Sequence, residues 1–201
     1  MRDSTTRDIK NAILDATDRL LAGNGYKKMT IDDLAAEVGI GKGSVYLHFS
    51  SKEEIVLKHI DRIIERLKSR LDAIAGKRTS CAQRLREMLV ERVVFRFDSV
   101  QHYTQSLNDL LSKIRPSLLE HRKRHFDEEA RIFARLIKEG IDAGEFSEMK
   151  ADEVARSLLV ATNSLLPYSL STQELGERRA IEKRAASLAD LLLNGLIART
   201  D

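Results

Sequence analysis

The sequence predicts an all-α protein in which a small N-terminal helix-turn-helix module is joined by a long helix to a larger helical domain. Three observations predict it. Apolar residues recur at three- and four-residue spacing along most of the chain, and no segment sustains the two-residue alternation of a strand. Proline occurs only twice and tryptophan not at all in 201 residues, which suits long helices with few interruptions. The stretch from Thr30 to Lys52, TIDDLAAEVGIGKGSVYLHFSSK, reads as two short helices around a glycine turn.

The first helix is expected from about Thr5 to Ala22. Ile9, Ile13, Ala16, Leu20 and Leu21 form its apolar face, and Gly23-Asn24-Gly25 ends it. Tyr26 and Met29 lead into the helix-turn-helix. Thr30 is placed to cap its first helix, and Asp32 and Asp33 lie in the first turn, where the helix dipole favours negative charge. Leu34, Ala35 and Val38 share one face. Gly39 stands where a helix closes on a left-handed residue, and Ile40 plugs the angle between the two helices. A second short helix begins near Gly41 or Lys42, and in this motif that helix enters the DNA major groove.

Its side chains suit nucleic acid better than burial. Gly41 and Gly43 clear its N-terminus, so its amides can approach a phosphate closely. Lys42 brings charge and Ser44 a small donor and acceptor for a base edge or phosphate. Tyr46 and His48 carry polar tips, while Val45 and Phe49 are expected to pack inward. Lys52, beside the capping candidates Ser50 and Ser51, is positioned to hold another phosphate. A plain helical hairpin in a core is the alternative. Two glycines opening so short a helix argue against it, since each weakens a helix by about 1 kcal/mol relative to alanine.

A long helix follows from Ser51, with Ile55, Val56, His59, Ile60, Ile63, Ile64, Leu67 and Leu71 in helical phase. Gly76 and Thr79-Ser80 break it. The next helix spans Cys81 to about Phe97, with Leu85, Met88, Leu89, Val93 and Phe97 on one face. Gln101 to Lys113 reads as helical but more polar, and Pro116 as the start of a further helix that runs to Glu139 and closes at Gly140 or Gly144. Glu145-Phe146 form a short connection. A helix from about Ala151 to Leu166 is capped near Asp152 and stopped or kinked by Pro167. The last helix runs from Leu175 or Gly176 to Ile197.

The Thr30–Lys52 segment resembles the N-terminal signature of the tetracycline-repressor (TetR) family of bacterial transcriptional regulators. The resemblance rests on Gly39, on Gly43-Ser44-Val45-Tyr46 and on His48-Phe49-Ser50-Ser51-Lys52. Ala12-Ile13-Leu14-Asp15-Ala16 through Gly25-Tyr26, and Thr30, are similar to the family's first helix and the cap of its second. Gly41 departs from the pattern, because the family often has Ser or Thr there; the departure bears on half-site preference rather than on DNA binding. The resemblance implies a DNA-binding domain over residues 1–50 and an all-α ligand-binding and dimerisation domain over residues 51–201.

Several residues are candidates for those roles. Lys42, Ser44 and Tyr46 face the groove or its walls, and Thr30, His48 and Lys52 hold phosphates around Gly41 and Gly43. Arg92, Phe95, Arg96, His102, Tyr103, Asn108, Phe126 and Asn163 supply the aromatic walls and polar anchors that a ligand pocket uses. Singly, the HRKRH segment (His121–His125) reads as a solvated helix face, and Phe95, Phe97, Phe126 and Phe133 as core. Leu158, Ala161, Thr162 and Leu165 on one helix, with Ala185, Leu188, Leu192 and Leu196 on the next, mix small and large apolar residues. Such faces pack closely in a four-helix bundle built by two subunits.

Composition narrows the remaining classes. The net charge of +3 is modest, so any attraction for DNA must be local rather than a polybasic arm. The single Cys81 forms no intrachain disulfide and is compatible with a reducing cytoplasm. No apolar run approaches a membrane span. His121 and His125 stand four apart on one helix face, but Arg122, Lys123 and Arg124 between them repel a cation, so no metal is expected. There is no glycine-rich phosphate loop, no paired-carboxylate cluster and no nucleophile–histidine pair, so neither catalysis nor a cofactor is expected.

The expected function is that of a cytoplasmic, ligand-responsive regulator, a repressor in preference to an activator. It would bind a palindromic operator in double-stranded DNA as a homodimer and be released by an unidentified small-molecule effector that pivots the Ser51–Leu71 helix. The alternative is an all-α dimeric small-molecule-binding protein or adaptor without sequence-specific DNA binding.

Overall fold

Local chemistry accounts for where most helices begin and end. In this computed structural model the backbone is described for residues 2–101, 104–167 and 176–196, and the side chains for 7–101, 119–167 and 176–196. Among the described residues there are nine helices and no strand. They are α1 (Arg2–Gly23), α2 (Gly25–Lys28), α3 (Ile31–Val38), α4 (Lys42–Tyr46), α5 (Lys52–Ala75), α6 (Cys81–Val100), α7 (Thr104–Asp142), α8 (Ala151–Asn163) and α9 (Arg178–Leu193). Leu175 and Ile197, which figured in the expected bounds of the last helix, lie outside the described residues.

The chain forms two compact units: residues 1–63 with 101–121, and residues 64–100 with 122–201. The division falls within α5, later than residue 50. The reason is that the start of α5 buries Ile55, Val56 and Leu57, which belong to the N-terminal unit.

In the N-terminal unit, Thr30 opens α3 through a reciprocal capping box. The Asp33 amide donates to Thr30 Oγ1 at 3.1 Å, and the Thr30 amide donates to Asp33 Oδ2 at 2.9 Å. Ser51 caps α5 from one side only, its Oγ accepting from the Glu54 amide at 3.1 Å. The Ser50 hydroxyl and amide both donate to Glu54 Oε2 and hold that carboxyl below its ordinary range. Ile13, Ala16 and Leu21 of α1, Met29, Leu34 of α3 and Val45 of α4 are fully or almost fully buried.

The C-terminal unit has a larger core, which Leu67 and Leu71, Leu85 and Leu89, Phe133 and Ile137, Leu159 and Ala189 contribute from α5, α6, α7, α8 and α9. A second cluster gathers Val93, Phe97, Leu166, Ile181 and Ala185. Beyond α7 the chain turns through Gly144 (φ 73°), and Phe146 folds back onto Gly140. A Cβ at Gly140 would lie 2.3 Å from Phe146 Cδ2, so glycine is required there by close approach. Cys81 opens α6 fully buried; burial and the nearby Glu145 carboxylate push its thiol up, which makes it an unreactive packing residue.

Five expectations need correction. The Gly23–Tyr26 region is not simply a break, because Gly25 (φ 72°) starts the one-turn helix α2. Pro116 lies inside a continuous α7 rather than at the start of a new helix; proline removes one amide donor and strains the preceding turn, yet it does not forbid helix on both sides. Asp152 sits in the first turn of α8, whose cap residue is Lys150 with no side-chain cap bond. α8 also stops at Asn163, before Leu166, and α9 runs only from Arg178 to Leu193.

Candidate functional site

The helix-turn-helix is built by α3, a glycine turn and α4. Gly39 adopts φ 76°, and its amide and that of Ile40 donate back to Ala36 and Ala35, closing α3 on a left-handed residue. Val45 within α4 and Phe49, three residues past its end, are buried. Between them Tyr46 and Leu47 turn outward, while His48 is half-buried. Tyr46 is 50% exposed and Leu47 is 83% exposed. Leu47 was missed as a site residue. Its signal was its place midway between two inward anchors, which overrides its apolar character.

Gly41 and Gly43 complete the outward surface. Gly41 has an ordinary φ of −73°, and a Cβ built at either glycine meets nothing within 4 Å. Neither backbone conformation nor packing demands glycine here, so the bare surface is a property of the outer face. Lys42 is exposed, and its ammonium lies 2.8 Å from Asp32 Oδ2. That hydrogen bond and the Asp32 charge raise its pKa, so it stays protonated, but an exposed pair of this kind is readily exchanged for another anion. Ser44 and His48 are half-buried.

Two expected phosphate holders do other work. The Thr30 hydroxyl donates to Asp33 Oδ2 at 2.8 Å and accepts from the Asp33 amide, so it belongs to the cap of α3. Lys52 Nζ donates to the carbonyls of Tyr26 and Met29, both at 3.0 Å, and sits 4.3 Å from the centre of the Tyr26 ring. It ties down the end of α2 and supplies a cation–π contact. The outward-facing set is therefore Gly41, Lys42, Gly43, Tyr46 and Leu47.

Among the candidate ligand residues, the fold brings Arg92, Arg96 and Asn163 together. Arg92 is 2% exposed and donates to Glu129 Oε2, Thr162 Oγ1 and Asn163 Oδ1 at 2.8, 2.7 and 2.8 Å. Arg96 Nη2 donates to the other oxygen of Glu129. Glu129 and Thr162 were missed as members of this network; a lone acidic residue on a long helix carries no sign of burial in sequence. Phe95 and Phe126 are half-buried against the core, with the Arg70 guanidinium 4.9 Å over the Phe95 ring. The side chains of His102, Tyr103 and Asn108 lie outside the described residues.

His125 departs from the solvated face expected of HRKRH: Arg122, Lys123 and Arg124 are exposed, but His125 is buried. Its Nδ1 lies 3.5 Å from Glu128, and Lys68 Nζ stands between Glu65 at 2.5 Å and Glu128 at 2.6 Å. Glu65, His125 and Glu128 bring ligand-type atoms within 4.8 Å of one another, but the Lys68 ammonium is the cation among them.

Three residues of the expected partner face turn inward. Leu158, Thr162 and Ala185 are buried within the C-terminal unit itself, so they are core and not interface. Ala161, Leu165, Leu188, Leu192 and Leu196 are half-buried. The outward apolar residues are Val160, 60% exposed, and Leu191, 69% exposed. Each lies two positions from inward-facing neighbours, as Leu47 does.

A helix-turn-helix that turns a bare, basic and aromatic surface outward, in a chain of helices, defines a DNA-binding regulator. Residues 13–58 match the family model described as bacterial regulatory proteins, tetR family. The chain is similar to the HTH-type transcriptional regulator YerO of Bacillus subtilis (strain 168), 37% identical over 81 residues that span 38% of this chain and 26% of that protein. It is also similar to the fatty acid metabolism regulator protein of the same organism, 23% identical over 92% of this chain and 93% of the relative. In fold it resembles a TetR transcription regulator from Haloarcula marismortui, with a TM-score of 0.76 at 20% identity over 96% of this chain and 100% of that one. Residues 13–58 thus carry the tetR-family DNA-binding signature, and the chain as a whole resembles TetR-type regulators. No described helix is long and apolar enough to cross a membrane.

Proposed function

We propose that this protein is a cytoplasmic, ligand-responsive repressor that binds a palindromic operator as a homodimer and is released by a small-molecule effector. It carries out no catalysis and needs no cofactor. Residues 1–50 bear the DNA contacts, and residues 51–201 bind the effector and the second subunit. The observation that carries the reading is the outward face of α4, where Tyr46 and Leu47 project above the buried anchors Val45 and Phe49. Lys42 exchanges Asp32 for a phosphate, Tyr46 and Leu47 meet base edges or sugars, and the bare Gly41 and Gly43 let the backbone come close. Ser44 and His48 stand at the edge of that surface.

Tyr46→Ala tests it. Operator affinity is expected to fall roughly tenfold, the loss of about one good contact, with the fold unchanged because half of the ring is already in water. A gel-shift titration on an operator selected from random DNA reads the change. Equal affinity for wild type and variant removes Tyr46 from the site, and no selected operator at all favours the adaptor reading.

A single five-residue helix reads few bases, so a two-fold dimer supports specificity by doubling the half-sites. Val160 on α8 and Leu191 on α9 form the centre of the proposed dimer face, with Ala161, Leu165, Leu188 and Leu192 around it. Leu191→Glu is expected to weaken self-association tenfold or more by placing a charge in an apolar contact. Light scattering across a dilution series checks this; an unchanged dimer sinks the assignment. Effector and operator then oppose each other through α5, which extends from the DNA-binding unit into the effector unit.

A further inference from the structure

Guanidinium groups removed from water need an acceptor for each face of the fork, and a buried donor without one is costly. In the C-terminal unit, Glu129 is 1% exposed and serves two arginines at once. Its Oε2 accepts from Arg92 Nε, and its Oε1 accepts from Arg96 Nη2. Burial alone would raise its pKa, but the charges of Arg96 and Arg92 outweigh that and keep the carboxyl ionised.

The two arginines are satisfied to different degrees. Arg92 makes bonds through Nε, Nη1 and Nη2 to Glu129, Thr162 and Asn163. Arg96, one turn further along α6, uses Nη2 on Glu129. Its Nη1 is shut off from water and has no hydrogen-bond partner among the described residues. Arg96 is thus a fixed fork with one tine held by Glu129 and the other carrying two N–H groups toward no protein acceptor. Guanidinium forks of this kind recognise oxyanions. The flanking side chains on the same face of α6, Val93 and Phe97, belong to a buried apolar cluster with Leu166.

We propose that Arg96 is the anchor for an anionic effector, a carboxylate borne on an apolar body, with Glu129 and Arg92 holding the Arg96 fork in place. This rests on the reading of residues 51–201 as the effector domain. Arg96 Nη1 donates to the carboxylate, and entry of the apolar body requires the fully packed Val93–Phe97–Leu166 cluster to open.

The test uses the full-length protein and two matched pairs of probes, decanoate against 1-decanol and benzoate against benzyl alcohol, with choline as a cationic control. Binding is read by titration calorimetry and thermal shift. At least one carboxylate is expected to bind roughly tenfold or more tightly than its alcohol, the effect of one charge-assisted hydrogen bond in a dry site. Arg96→Gln should abolish that preference, and Arg96→Lys should retain part of it. The proposal is overturned if acid and alcohol bind alike, if neither acid binds, or if Arg96→Gln keeps the preference. Should Arg96→Gln fail to fold by circular dichroism, the wild-type comparison of acid with alcohol decides. Operator binding is measured on the same preparation. Choline or alcohol binding without acid binding leaves the effector domain standing and removes only the anion; acid binding without DNA binding removes the repressor and leaves the anchor.

Discussion

Replacing Glu129 by glutamine is expected to destabilise the protein by about 3–5 kcal/mol, the usual consequence of removing one partner from a buried charge cluster. The carboxylate is 1% exposed and accepts from both Arg92 and Arg96. The amide keeps one acceptor and turns an NH2 group toward a guanidinium that has only donors to offer. The loss comes from leaving cations buried, not from the intrinsic worth of the pair. Replacing all three members by apolar residues of similar volume should therefore cost far less than the single change. The pH dependence has a definite sign. The folded carboxyl titrates below its unfolded value of about 4.3. Its contribution is then complete above that value and is lost as pH falls through the lower folded pKa. Urea titrations at neutral pH and near pH 3 should show acid loss in the wild type and a smaller acid loss in Glu129→Gln. A variant within 1 kcal/mol of wild type at neutral pH contradicts this account.

Gly140→Val is expected to cost about 3 kcal/mol, at the upper end for overpacking a core. A Cβ there would stand 2.3 and 2.4 Å from two atoms of the Phe146 ring and 3.0 Å from Cys81 Cβ. Phe146 is 3% exposed, so the ring has no solvent side to swing into, and Cys81 is fixed at the start of α6. Helix propensity favours valine over glycine by less than about 1 kcal/mol, which is too little to reverse the sign. The variant in a Phe146→Ala background should lose much less stability than the sum of the two single changes, because the clash and the cavity occupy the same place. Additive losses would show that the glycine matters for another reason.

The DNA-binding end was legible in sequence because its signals are local. Thr30, Asp33 and Gly39 mark the ends of α3 through bonds that reach only three or four residues, and Val45 and Phe49 announce the buried side of α4 by their spacing. The effector end was legible only in part. Arg92, Arg96 and Asn163 stood out as polar residues on apolar helices, but the network that joins them, with both arginines on Glu129 and Asn163 on Arg92, links positions up to 71 apart in the chain. Pro116 misled for a related reason: a proline signals a helix start locally, while α7 continues through it. Among the candidate partner residues, Leu158, Thr162 and Ala185 are core, because they look the same in sequence whether they meet their own core or another subunit.

Sequence by itself determined the all-α class and the capped helix-turn-helix, because helical periodicity, caps and left-handed glycines act over one or two turns. Tertiary structure decided the wet side where apolar spacing left it open. It turned Leu47, Val160 and Leu191 outward, drew Lys52 onto the carbonyls of Tyr26 and Met29, and buried Glu129 between two arginines. Burial and charge pairing depend on residues far apart in the chain, and the free energy of such a contact exists only once the helices have packed.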